Sequence, residues 1–214
     1  MPDQKKKELV ELLARYEIPL IDNDVYGEIY FTEKRPMVTK AFDQKGLVML
    51  CSSFSKEISS SLRVGWVAPG RFKSEVEWLK FTINSGTGTL SQMAIAEFME
   101  SGGYDRHLRR IRREYASNVA ILSRAANRVF PAGTRVTRPS GGFVLWVQLP
   151  ENVDSLELYS LALKGGITIT PGYLFSPTNQ FFNFIRLNAA AWNYPIERAL
   201  ERLGEMVVEL AGRG

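Results

Sequence analysis

The sequence predicts an α/β fold, with a largely parallel sheet in the first part and a smaller α+β unit after it. Three observations predict this. In the first part, the short apolar runs "IPLID" (18–22), "LVMLCSS" (47–53) and "VGWVAP" (64–69) precede a series of helical segments, and strands followed by helices are the signature of an α/β layer. Leu47-Val48-Met49-Leu50 is apolar at every position, as strands of a covered parallel sheet are. After the helical stretch 104–129 the strands recur in a different setting, and Gly102-Gly103 interrupts the helices before it. The two units are expected at residues 1–103 and 104–214.

The elements follow in order. Leu9, Leu12, Leu13 and Tyr16 recur at helical spacing, so residues 3–16 are expected as a helix. After the three strands come helices over "FKSEVEWLKF", "LSQMAIAEFMESGG" and Tyr104 to Val129. "GGFVLWVQLP" (141–150) reads as a strand, "SLELYSLALKGG" as a helix with a glycine stop, and "ITITP" and "FNFIRLNAA" (182–190) as strands. "PIERALERLGEMVVEL" closes the chain as a helix that begins at Pro195.

Composition excludes several function classes. The chain has 214 residues, 45% hydrophobic and 23% charged, an ordinary globular balance with length enough for a core. A net charge of +4 permits an anionic ligand without requiring nucleic acid. One cysteine excludes an internal disulfide and fits a reducing, cytoplasmic setting. No apolar run reaches the ~18 residues of a membrane span, and "MPDQKKKELVELLARY" is a charged amphipathic stretch unlike a signal peptide. No metal site is expected.

The chemistry concentrates in "CSSFSKEISSSLRVGW" (51–66), where Lys56 lies among serines directly after an apolar strand. Ser53-Phe54-Ser55-Lys56 matches S-x-x-K, but the S-D-N and K-T-G partners of that acylating motif do not occur. No Walker P-loop is present either. Pyridoxal phosphate chemistry asks for another set: an amine for the aldehyde, hydroxyls and a guanidinium for the phosphate, and a carboxylate at the pyridine nitrogen. A hydrogen-bond donor at the ring oxygen and a second arginine for a substrate carboxylate complete it. The chain offers Lys56, Ser53, Ser55, Arg63, the acidic strand end "IDNDVYGE" with Tyr26, and Arg186 in "FIRLN". A solvated loop lysine is the bland alternative for Lys56, a surface residue that for Arg63, and a structural salt bridge that for Arg186.

"PLIDNDVYGEIYF", "SSFSKEISSSLRVGW", "GGYDRHLRRIRREY", "PSGGFVLWVQLP", "TPGYLF" and "FIRLNAA" occur in this order. Together they resemble the fold-type-I, class I/II aminotransferases, and most of all the aminotransferase-like domain of MocR-type regulators of the GntR family. The resemblance implies part of a pyridoxal-phosphate transferase large domain followed by a small C-terminal domain. It also implies pyridoxal 5'-phosphate as cofactor, with Lys56 as the Schiff-base lysine. Ser53, Ser55 and Arg63 fall on the phosphate binders, Tyr26 on the tyrosine at the ring oxygen, and Arg186 on the arginine that clamps a substrate carboxylate. The expected partners are an amino acid or amine and a second copy of the chain. DNA is expected to be bound only through a domain outside this chain, because no helix-turn-helix signature lies within it. The basic run "DRHLRRIRRE" (105–114) is expected as the wet face of a helix. "NSGTGTLSQ" precedes a helix whose amides could meet a phosphate.

The chain departs from the family pattern twice. The position three residues before the tyrosine, which carries aspartate in the family, is Asn23, flanked by Asp22 and Asp24. On a regular strand the two aspartates share one face and Asn23 takes the other, leaving either Asn23 or, with a bend, Asp24 for the pyridine nitrogen. An amide there suits a sensor better than a catalyst. The family pattern also begins well upstream, so the chain is expected to be a C-terminal portion with exposed apolar surface, and inactive by itself. The leading expectation is the effector-sensing part of a regulator. The alternatives are part of a free-standing amino-acid aminotransferase and a degenerate structural domain that holds no cofactor.

Overall fold

The computed structural model describes residues 1–178 and 180–213. They form two compact units, Met1–Arg112 and Arg113–Gly214. The division falls inside the long helix, beyond the Gly102-Gly103 break.

The first unit carries a three-stranded sheet, β1 (Leu20–Asn23), β2 (Val48–Ser53) and β3 (Gly65–Ala68), in that order. β1 and β2 are parallel, with Leu20 opposite Val48 and Asn23 opposite Cys51. β3 joins β2 antiparallel, with Ser53 opposite Gly65. The connections explain the difference. A parallel return needs a crossover of about a dozen residues or more, usually with a helix to carry it. The chain between β1 and β2 is long and includes a 3-10 turn at Thr39–Phe42, whereas residues 54–64 provide only tight turns. The mixed sheet therefore places an antiparallel strand at its edge.

Cross-strand partners point to the same side of a sheet. One face, holding Val48 and Leu50, is buried, and the turn at 39–42 covers part of it by donating from the Thr39 amide to Asp22 Oδ2 at 3.0 Å. The other face, holding Ile21, Asn23, Cys51, Ser53 and Val67, is open, with Ile21 67% exposed. Helix α1 (Asp3–Arg15) buries only Val10. In helix α2 (Lys73–Asn84) every residue except Val76 is exposed, including Trp78, Phe81 and Ile83. Helix α3 (Thr89–Glu100) buries Ile95 alone and starts at Gly88, with no side-chain cap.

Helix α4 (Gly103–Val129) anchors the first unit through Leu108 and Ile111 and the second through Val119, Leu122, Ala125 and Ala126. The second unit has a four-stranded antiparallel sheet in the order β4 (Arg135–Val136), β5 (Val144–Gln148), β7 (Phe184–Asn188), β6 (Thr170–Pro171). "ITITP" thus contributes only its last two residues as strand. Leu145, Val147, Ile185 and Leu187 alternate onto the buried face, where helix α5 (Ser155–Lys164) and helix α6 (Tyr194–Ala211) supply Leu158, Ala162, Leu203 and Val207. Both helices start on side-chain caps. Asp154 accepts from the Leu156 and Glu157 amides at 2.7 and 3.1 Å. Asn193 accepts from the Ile196 amide at 3.1 Å, with Pro195 in the first turn.

Candidate functional site: a lysine turn at the end of β2

β2 ends at Ser53 and the chain turns at once. The Ile58 amide donates to Phe54 O at 2.8 Å, closing one helical turn around Lys56, and the Phe54 amide donates to Val64 O at 3.2 Å. Lys56 is exposed on this turn, and its Nζ lies 6.0 Å from the centroid of the Tyr26 ring. The loop after β1 and the turn after β2 thus bring together two residues that lie thirty positions apart. The ends of parallel strands are where open α/β sheets take ligands.

Arg63 follows a 3-10 turn at Ser60–Leu62 that Ser59 caps by accepting from the Ser61 amide at 3.2 Å. Its backbone is left-handed, φ 53° and ψ 35°, a conformation that costs an arginine free energy and is concentrated at functional sites. The guanidinium is exposed, and its Nη1 reaches Ser60 O at 3.3 Å. Ser53 and Ser55 are half-buried beside the lysine turn. Ser52 points to the other face and donates to Asp24 O at 3.1 Å.

The three acidic-strand positions separate as alternation requires. Asn23 is exposed on the open face, the face of Ser53. Asp22 is taken up by the Thr39 amide. Asp24 pairs with Arg35, which also donates Nε to Glu28 at 2.7 Å. Burial pushes the Asp24 carboxyl above its ordinary range, opposed by Arg35.

Several groups emerge that residue patterns did not single out. Glu57, next to Lys56, is buried at 5% exposure. The Tyr104 hydroxyl donates to its carboxylate, and His107 Nε2 lies 2.6 Å from its backbone oxygen. Phe98 meets both the Tyr104 and His107 rings edge-on at 6.4 and 6.0 Å. Burial raises the Glu57 carboxyl above its ordinary value, against the lowering effect of Tyr104. Arg112 donates Nη2 to Glu28 at 2.9 Å and lies 4.0 Å above the Tyr30 ring. The run 105–114 is therefore not simply a wet face: His107 and Arg112 hold the first unit together. Glu28, Tyr30, Glu57, Tyr104 and Arg112 bound a cavity of about 460 Å³, with Trp66, Met99, Arg109 and Phe54 also on its wall. The sequence signal was available only as helical spacing, since His107, Ile111 and Glu114 share a stripe that polarity alone does not assign.

Arg186 belongs to the second unit. It is exposed on β7, opposite Trp146 on β5 and Thr170 on β6. Its Nη2 lies 3.4 Å from Thr170 Oγ1 and its Cζ 5.3 Å from the Phe175 ring. Asn188, on the same face, accepts from the Ala190 amide at 2.8 Å and so braces its own turn.

A mixed sheet whose strand ends present a lysine, hydroxyls and a left-handed arginine, followed by an antiparallel unit with an exposed arginine, is the layout of an aminotransferase-like protein. The chain belongs to the family "Aminotransferase class I and II", whose model matches residues 1–203. It is 39% identical over 97% of its length to the uncharacterized HTH-type transcriptional regulator YjiR of Escherichia coli, of which it covers 44%. The multiple substrate aminotransferase from Thermococcus profundus superposes with TM-score 0.92 at 28% identity, covering 100% of this chain and 54% of that one. LysN, the α-aminoadipate aminotransferase of Thermus thermophilus complexed with N-(5'-phosphopyridoxyl)-L-leucine, gives 0.89 at 27% identity over 100% of this chain and 56% of its own. The chain thus spans about half the length of these relatives.

Pyridoxal phosphate is the cofactor of this family, and the donor set fits it. Lys56 offers an exposed amine beside an aromatic ring, Arg63 and two serines offer charge and hydroxyls for a phosphate, and Asn23 offers an amide on the same open face.

Proposed function

We propose that this chain is the pyridoxal-phosphate-binding, effector-sensing part of a MocR-type transcriptional regulator. The observation that carries the reading is the distribution of the β1 polar groups. Asn23 is on the open face with Ser53, while Asp22 is engaged by the Thr39 amide and Asp24, just past the strand end, by Arg35. When bound, the cofactor supplies an electron sink that depends on a protonated pyridine nitrogen. A carboxylate keeps that proton in place; the neutral amide of Asn23 does not. Lys56 supplies the amine that anchors the aldehyde. Tyr26, whose ring centroid is 6.0 Å from Lys56 Nζ, would donate to the ring oxygen. Arg63, Ser53 and Ser55 would hold the phosphate through charge-assisted hydrogen bonds, and Arg186 would take the carboxylate of an amino acid. Such a site binds its ligand and turns it over slowly. The likeness to YjiR, whose name describes a regulator, supports the same assignment.

The test is made on a longer protein, of the relatives' full length, that contains this chain. Borohydride reduction with pyridoxal phosphate, followed by peptide mapping, should label Lys56. An amino acid should then shift the visible spectrum with little keto-acid release. Fast, repeated turnover would instead select the free-standing aminotransferase reading.

A further inference from the structure

We infer that the ligand whose carboxylate meets Arg186 carries an aromatic or comparably large apolar side chain, received on a ring platform beside that arginine. This deepens the proposed function and rests on reading Arg186 as the carboxylate clamp. Trp146, opposite Arg186 in the β5–β7 ladder, stacks on Phe184 at 5.4 Å with 24° between planes. Phe175 and Phe181 meet the Trp146 ring edge-on at 5.1 and 5.6 Å, and the Arg186 guanidinium stands over Phe175. The platform is built in place. Gly172 lets the backbone pass close to Phe181, since a Cβ there would lie 2.1 Å from Phe181 O. Phe175 nonetheless stays 43% exposed and Arg186 is open to solvent.

An exposed guanidinium surrounded by half-exposed rings is satisfied by a ligand that brings an anion and apolar surface together. A dicarboxylate would need a second cation nearby. On the strands of this face the other described cation is Arg135, which stands opposite Gln148 on β4. It is two strand spacings across and two residues along from Arg186, about 12 Å between backbones, with Phe184 and Trp146 between them.

The experiment titrates the chain calorimetrically, without cofactor, with 3-phenylpropionate, succinate and phenethylamine. Expected is binding of 3-phenylpropionate at least fivefold tighter than succinate and at least tenfold tighter than phenethylamine. Phe175→Ala should reduce the preference over succinate below twofold with succinate itself unchanged, and Arg186→Leu should abolish binding of both acids. Circular dichroism checks each fold, and Phe175→Leu replaces the alanine variant if that one unfolds. Succinate binding as tightly as 3-phenylpropionate, or full selectivity in the Phe175 variants, overturns the inference while leaving the carboxylate clamp standing. Unchanged binding in Arg186→Leu overturns the clamp as well. Neither outcome bears on Lys56, which the borohydride mapping reads separately.

Discussion

At Arg63 and Arg186 the same guanidinium is put to two different uses. Arg63 is fixed by a left-handed backbone next to the lysine turn, whereas Arg186 stands on a strand face among rings. Each should therefore report on a different anion. Arg63→Ala is expected to weaken pyridoxal phosphate binding, and Arg186→Ala to spare it and weaken amino-acid binding. Each should cost about 2–5 kcal/mol, measured by separate spectral titrations of cofactor and amino acid. At Asn23 the expectation is a gain: Asn23→Asp should speed keto-acid formation roughly tenfold or more in single-turnover assays, since a charge-assisted bond to the pyridinium contributes about 1.5–3 kcal/mol. Glu57 offers a pH test. Its carboxyl is raised by burial, so the folded state holds a proton that the unfolded state has released. The ionisation penalty is absent below the unfolded value and grows as pH rises through the raised one. Glu57→Gln keeps an acceptor for Tyr104 and removes the penalty. Its stability relative to the unaltered chain should improve as pH rises above the ordinary carboxylate value in urea titrations, and a flat difference would refute the assignment.

At the scale of elements, local rules and close approaches both leave measurable marks. Asn193 satisfies a free amide at the start of α6, and Asn193→Ala should lower stability by about 1 kcal/mol in urea unfolding. Gly172 has a different task. Its missing side chain lets the β6 turn lie against Phe181 and Phe184. Gly172→Ala should cost on the order of 1–3 kcal/mol through overpacking and should disturb near-ultraviolet dichroism from Trp146, because the same turn carries Phe175. The lysine turn needs no glycine. It is closed by the Phe54 carbonyl, and the antiparallel return of β3 then brings Gly65 against Ser53.

For the whole molecule, exposure is the informative quantity. Trp78, Phe81, Ile83, Leu90 and Met93 on α2 and α3, with Ile21 on the open sheet face, are all more than 60% exposed, and exposed apolar surface on this scale drives association. Residues 1–214 should sediment as concentration-dependent oligomers, and Phe81→Ser with Ile83→Ser should shift them toward monomer. Lys56 is exposed as well, and an amine that is neither desolvated nor enclosed gains little over free lysine. The same polypeptide should bind pyridoxal phosphate weakly, with visible absorbance lost in competition with millimolar free lysine. Stoichiometric, tight binding would show that these residues complete their own site.

The order of residues alone carried the helices, six of the seven strands, with β4 unread, and the lysine–serine–arginine stretch; it left the choice between Asn23 and Asp24 open. Each depends on short-range periodicity or on a local chemical demand. Side-chain alternation within β1 suffices to set Asn23 on the face opposite Asp22, and an apolar strand followed by serines suffices to place Lys56 at a strand end. Tertiary structure alone fixed the rest. The antiparallel return of β3 depends on how little chain joins it to β2. The engagement of Asp24 by Arg35, of Glu57 by Tyr104 and His107, and of Arg112 by Glu28 joins residues far apart in sequence, where no period links them. The platform around Arg186 arises because strand pairing sets Trp146 opposite it and a glycine turn delivers Phe175 to its side. Pairing register and close backbone approach are properties of packed chains, and they determine which of many arginines and rings meet.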